Sequence, residues 1–307
     1  MSSTSSTTHS AGSAGQSAPL AMTLLSMSSV QLSDAFSLPM IGATGAAGTA
    51  WMRAGFGALL LLALVRPSVR SLGVHQWRVV LALGMLSATL SLSFLAALER
   101  LPLGTAVAIE FLGPLGVAAV HAGRRGVRWP VIAAVGVLAL TEPWQGSTSL
   151  LGALLALVAA GSWAGCIVLT SRVGDRVPGL DGIALAMPVA ALCLSPWGCV
   201  QALPHLEPTT MAQGLELAVL MPVVPHVLEL TALRRLPQGT FATLMSLEPA
   251  LAVLVGLVVL GQQPAVIPAF GILLVVVAGL GATRVAPARP GTSAYDLVPL
   301  PMTASAG

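Results

Sequence analysis

The sequence predicts an all-α membrane protein of ten transmembrane helices, arranged as two inverted five-helix repeats. Three observations predict it. The chain of 307 residues is 55% hydrophobic, only 8% charged and has a mean hydropathy of +0.89, where a soluble domain is about 25% charged. Its apolar stretches recur at lengths close to the ~20 residues that carry a helix across a bilayer. The third observation is a stretch written twice: ALERLPLGTAVAIEFLGPL from Ala97 to Leu115 and ALRRLPQGTFATLMSLEPA from Ala232 to Ala250. The offset is a constant 135 residues, and nine of the nineteen positions are identical, including Leu101/Leu236, Pro102/Pro237, Gly104/Gly239, Thr105/Thr240 and Pro114/Pro249. A repeat of this length in an apolar protein points to duplicated halves of a transporter.

Each element has its own warrant. Residues 1-19 are rich in Ser, Thr, Gly and Ala and carry no Arg, so they read as a disordered tail rather than a signal peptide. Spans are expected at 20-40, 46-66, 76-98, 102-122 and 128-143, the first repeat being 20-143. The fifth is short and bracketed by Pro130 and Pro143. The second repeat, 149-284, supplies spans at 149-171, 180-200, 210-232, 237-260 and 264-284, and residues 285-307 form a polar, disordered tail.

Arginine distribution orients this array. All fourteen basic residues are Arg. With the N-terminus cytoplasmic, twelve fall in inner connections (Arg66, Arg70, Arg78, Arg124, Arg125, Arg128, Arg172, Arg176, Arg234, Arg235, Arg284 and Arg289), Arg100 falls outside, and Arg53 lies within a helix. That asymmetry obeys the positive-inside rule and puts both termini in the cytoplasm. Five helices per half is an odd number, so the second half enters with opposite polarity. One central site can then open alternately to either side.

Ionisable residues inside membrane helices are costly and mark function by default. Asp34, Arg53 and Glu110 lie about six to eight residues from the outer ends of their helices, which puts them in one layer ~9–12 Å deep at ~1.5 Å per residue. A guanidinium there can fork to a carboxylate and also dock a substrate carboxylate. A static Arg–Asp clamp is the structural alternative. Arg53 is expected to pair with Asp34 or Glu110. Glu248 sits near the midplane before Pro249, which frees the Met245 carbonyl, as Pro114 frees that of Glu110; broken backbone in a membrane is tolerated where it lines a cavity or is buried in protein. Substrate-binding candidates are Gln31, which could equally bond a neighbouring helix, Asp34, Arg53, Glu110, Trp163 and Glu248, with Pro114 and Pro249 as helix breaks. Glu110 and Glu248 are candidates to carry a proton through the cycle. His226 and Glu229, at i and i+3 in a helix loosened by Pro222 and Pro225, could relay one. Glu229 could equally be a solvated residue near the inner end, and Glu216 reads as a rim residue. Gly161 and Gly165 form a GxxxG read as a helix-packing site beside Trp163.

Other classes are disfavoured. The sequence has no HExxH, P-loop or GxGxxG, and its loops are too short for a nucleotide-binding domain. Neither catalysis nor an ATP-driven pump is expected, nor any cofactor, metal or nucleic-acid partner. The expected partners are a small molecule and the lipid bilayer. Buried charge at matching depth speaks against a passive scaffold.

The repeated LPxGT turn, the EFLGP run at Glu110–Pro114, the TLMSLEPA run at Thr243–Ala250, the PHVLEL run at Pro225–Leu230 and the spacing of Gln31 and Arg53 resemble the EamA family of the drug/metabolite transporter superfamily. Within it they resemble the bacterial threonine/homoserine exporter type. The resemblance covers about residues 20-284 and implies ten helices, a cavity between the halves, and ion-driven export of small metabolites from a bacterial cell across its inner membrane. The chain departs from that type in carrying Asp34 and no basic residue near Leu38. Drugs, nucleobases or other metabolites therefore stand beside amino acids as substrates.

Overall fold

The computed structural model describes residues 11–67, 73–122, 128–141, 149–173, 179–233, 235–236, 238–263 and 265–285. Arg70, Arg124, Arg125, Pro143, Arg176, Arg234, Pro237 and Arg289, and the tails at 1–10 and 286–307, lie outside the described residues.

Every element is helical among the described residues. In order they are α1 (Ala11–Val65), α2 (Val74–Leu98), α3 (Leu103–Glu110), α4 (Leu112–Ala122), α5 (Arg128–Thr141), α6 (Leu150–Val173), α7 (Gly179–Ala202), α8 (Pro208–Ala218), α9 (Val224–Leu233), α10 (Gln238–Met245), α11 (Glu248–Leu260) and α12 (Val266–Val285). A 3-10 turn, Leu203–His205, precedes α8, and a π-type turn, Val219–Val223, joins it to α9. Eight stretches among the described residues are long and apolar enough to cross a membrane, and Arg128–Leu140 is a shorter apolar helix. This is a multi-pass membrane protein.

The first of those stretches, Ala18–Val65, is 48 residues long, about twice what one crossing needs. It is broken at Gly45, whose φ of 69° and ψ of 166° leave the helical region. Only glycine takes that φ without strain. The break leaves backbone donors at the start of the second arm, and Gln201 of α7 caps them: its Oε1 accepts from Ala47 N and Gly48 N at 3.1 Å each. At its other end α1 begins at Ala11, inside the stretch expected to be tail. Extending an existing helix costs far less than nucleating one.

Three further spans are interrupted. α3 and α4 form one span broken at Phe111, and α10 and α11 form another broken at Ser246–Leu247. In the third, α8 and α9 flank the π-type turn, where Met221 leaves the helical region. Hydroxyls of α1 satisfy carbonyls there: Ser29 donates to the Leu220 carbonyl at 2.7 Å and Ser33 to that of Leu217 at 3.2 Å.

The main core cluster joins α1, α2, α3, α6, α7 and α11 through Ala50, Phe94, Leu103, Ile109, Ala159 and Leu194 among others. Small residues let these helices close on one another. A Cβ on Gly113 of α4 would run into the Ala160 carbonyl of α6. The outer surface is apolar, with Val120, Leu192, Val258 and Val266 each more than 70% exposed, as suits lipid contact.

Candidate functional site

The polar groups that this apolar shell encloses gather where α1, α2, α3 and α11 meet. α1 supplies four of them. Its first arm carries Ser26, Gln31 and Asp34, and its second arm, past the break at Gly45, brings Arg53 alongside Asp34. Arg53 Nη1 donates to Asp34 Oδ1 at 3.0 Å, and Nη2 donates to Ser91 Oγ of α2, also at 3.0 Å. Asp34 and Arg53 are each only 5% exposed. The expected Arg53 pair thus forms with Asp34. Glu110 is the last residue of α3, immediately before the Phe111 break. It is half-buried, makes no side-chain hydrogen bond among the described residues, and lies within electrostatic reach of Asp34, Arg53 and Glu248.

Glu248, 6% exposed, opens α11 just past the second break. Its Oε1 accepts from Gln31 Nε2 at 3.4 Å. Glu248 also feels the charges of Asp34 and Glu229. Glu229 of α9 accepts from Ser26 Oγ at 2.8 Å, so it turns onto α1 rather than out to solvent. Among the described residues, Asp34, Glu110, Glu248 and Glu229 are thus linked through successive electrostatic neighbours, with Arg53 paired to Asp34 at one end.

Other candidates lie apart from this centre or serve it indirectly. His226 and Glu229 share a face of α9 without meeting, because His226 Nδ1 pairs with the Pro222 carbonyl oxygen at 2.6 Å. Trp163 packs edge-on against Phe111, with ring centroids 6.4 Å apart, so it braces the first helix break. Pro114 and Pro249 each follow a break, at the third residue of α4 and the second of α11. The GxxxG reading needs correcting in part. A Cβ on Gly161 would meet nothing within 4 Å and one on Gly165 would meet Leu86, so the tightest approach to α6 is made by Gly113 at Ala160. Glu216 is exposed, as a rim residue would be.

Sequence reasoning missed Ser91, Ser26 and the two capping glutamines, Gln201 and Gln262. Gln262 Oε1 accepts from Leu103 N at 3.0 Å and so caps α3. A polar stripe was legible in α1, where Ser26, Ser29, Ser33 and Ser37 recur at helical spacing, but it did not show which partner Ser26 meets and does not bear on Ser91 of α2.

Comparison with known proteins agrees with a transporter. The chain is 34% identical over 284 residues to the threonine/homoserine exporter RhtA of Salmonella typhimurium (strain LT2), a match covering 91% of this chain and 96% of the relative. Residues 150–283 match the EamA-like transporter family. The chain belongs to that family. The threonine/homoserine exporter RhtA of Escherichia coli (strain K12) is likewise 34% identical over 270 residues, 86% of this chain and 91% of its own. A solved crystal structure shares the fold of this EamA-like transporter with a TM-score of 0.57 at 19% identity, over 87% of this chain and 97% of its own. The family is one of transporters, so the chain moves a small molecule across the membrane and does not convert it.

Proposed function

We propose that this EamA-like transporter exports small amino acids of the threonine/homoserine kind by proton antiport, with alternating access at the cluster around Arg53. The observation that carries the reading is the buried Arg53–Asp34 pair, 3.0 Å apart, with Glu110 and Glu248 in electrostatic reach. A substrate carboxylate arriving at Arg53 competes with Asp34 for the guanidinium. The displaced protein carboxylate then takes a proton, which links substrate binding to proton movement. The relatives' shared name supplies the substrate class.

Alternating access requires two halves related by symmetry, and one contact supports that reading. Gly136 of α5 and Gly271 of α12 are 135 residues apart, the offset of the repeat. A Cβ on Gly136 would stand 2.7 Å from the Gly271 carbonyl oxygen, and one on Gly271 would stand 2.6 Å from that of Gly136. A residue that meets its own repeat mate reciprocally lies on a two-fold axis, as in an isologous interface. Helix pairing follows the same exchange: α2 of the first half packs on α6 of the second, while α8 and α9 of the second pack on α1. With α1 counted as two crossings at Gly45, each interrupted span as one and α5 as one, the count is ten. Arginine asymmetry then puts both termini in the cytoplasm.

Two measurements test this. In proteoliposomes with an imposed proton gradient, the chain should drive homoserine transport, and Arg53→Lys should cut it at least about tenfold by losing the planar fork. Normal transport by Arg53→Lys would make Arg53 a structural clamp. Reporter fusions after residue 284 and at residue 145 should report opposite compartments, the second periplasmic. A C-terminal fusion that reads outside would give an odd helix count and end the inverted-repeat reading.

A further inference from the structure

Gln31 and Glu248 leave a loose end that the Arg53 pair does not explain. Gln31 is 1% exposed and Glu248 6%. One hydrogen bond joins them, Nε2 to Oε1 at 3.4 Å, while Gln31 Oε1 and Glu248 Oε2 are buried with no hydrogen-bond partner among the described residues. A buried acceptor left unpaired costs about 1–3 kcal/mol, and here two of them lie on side chains already in contact. Both are acceptors, one belongs to a carboxylate, and the surrounding cluster has more carboxylates than cations. The complementary ligand is a cation bearing several N–H donors.

Resting on the exporter reading above, we infer that Gln31 and Glu248 form the ammonium subsite of a zwitterion ruler along α1, and that Arg53 forms its carboxylate end. Gln31 and Asp34 are three residues apart on one face of α1, so their levels differ by ~4.5 Å at ~1.5 Å per residue. Arg53 is bonded at the Asp34 level. A single carbon separates ammonium from carboxylate in an α-amino acid, so one molecule lying along α1 spans both levels. Its ammonium is shared between Gln31 Oε1 and Glu248 Oε2, and its carboxylate forks onto Arg53. A bare metal ion fits less well. It wants several oxygens, and among the described residues no group of His, Cys, Asp and Glu side chains is arranged to hold one. A site made this way selects for a free α-amino group and a free carboxylate at fixed spacing. It is indifferent to a short side chain, which suits threonine and homoserine equally.

The test is a binding series on the full chain in lipid nanodiscs, using radiolabelled L-homoserine displaced by N-acetyl-L-homoserine, which lacks the ammonium, and by homoserinol, which lacks the carboxylate. Wild type should prefer homoserine to N-acetylhomoserine by about tenfold to a hundredfold, the range of a charge-assisted hydrogen bond. Gln31→Leu should weaken homoserine about tenfold and leave N-acetylhomoserine unchanged, which collapses the preference. The near-isosteric Glu248→Gln should do the same. Arg53→Lys should instead weaken homoserine relative to homoserinol. The inference is overturned if Gln31→Leu and Glu248→Gln keep the wild-type preference, as they would if the two side chains merely shared a proton. It is overturned equally if both analogues weaken by the same factor, as loss of folding alone would produce. Wild type that binds no amino acid at all would instead remove the exporter reading, and this subsite with it.

Discussion

The two interrupted spans that repeat each other, α3–α4 and α10–α11, share a scaffold and differ in chemistry. In each, a helix of eight residues ends, the chain turns, and a second helix begins with Pro114 or Pro249 in its first turn. Their charges do not correspond. Glu110 ends α3 where the repeat places Met245, and Glu248 begins α11 where it places Gly113. Glu110 is half-buried without a side-chain hydrogen bond among the described residues, whereas Glu248 is buried and bonded to Gln31. Arg53 has no counterpart either, since the residue 135 positions on is Pro188. On the inverted-repeat reading proposed above, duplication would supply the two helix breaks and a two-fold seam, and each half would add its own ionisable groups. A symmetric backbone would then frame a site suited to an asymmetric molecule.

The largest effect should come from breaking the asymmetric part. Arg53→Ala leaves Asp34 buried without its cation, which costs about 3–5 kcal/mol. Thermal unfolding in detergent should show a large drop in midpoint together with loss of transport, and Asp34→Asn on top should recover a good part of the stability but none of the transport. If the double variant is no more stable than Arg53→Ala, the pair is not what offsets the charge.

The symmetric part should break evenly. Gly136→Val and Gly271→Val each push a side chain against a backbone carbonyl, at 2.7 and 2.6 Å from Cβ. Backbone on the facing helix cannot swing aside as a side chain could, so each should cost about 1–3 kcal/mol. The two midpoints should fall by similar amounts. Unequal losses, with one variant like wild type, would mean that the seam is not reciprocal.

Much of this was legible in the chain. The repeat with its 135-residue offset located both breaks, and the rarity of charge inside apolar runs picked out Asp34, Arg53, Glu110 and Glu248. The partners were harder to read. Ser91 and Ser26 are common small residues, and their roles depend on which helices pack together, which periodicity does not reveal. The same holds for Gln201 and Gln262, which cap helices more than 150 residues away in sequence. Glu229 was left between relay and solvated end because its distance from the helix terminus says nothing about the hydroxyl of Ser26 facing it. The packing role given to Gly161 failed for a related reason: the motif marks small residues but not what lies opposite, and what comes close to α6 is Gly113.

The smallest change in stability, and the sharpest separation of the two halves, should come from neutralising the two carboxylates in turn. Glu110→Gln changes a half-buried side chain that makes no hydrogen bond among the described residues, so stability should stay within about 0.5 kcal/mol of wild type. Glu248→Gln keeps an oxygen that can accept from Gln31, and its stability should move by no more than about 1 kcal/mol. Function should divide differently. Export driven by a proton gradient needs a carboxylate that gains and loses a proton, so both variants should lose it by at least about tenfold. Homoserine–homoserine exchange moves no net proton and needs only the binding site. Under the roles proposed above, Glu110→Gln should retain it, because Glu110 would serve only the proton, while Glu248→Gln should lose it, because Glu248 would also hold the ammonium. Equal exchange by the two variants would erase this division of labour, and wild-type gradient-driven export by both would show that neither carboxylate couples transport to protons.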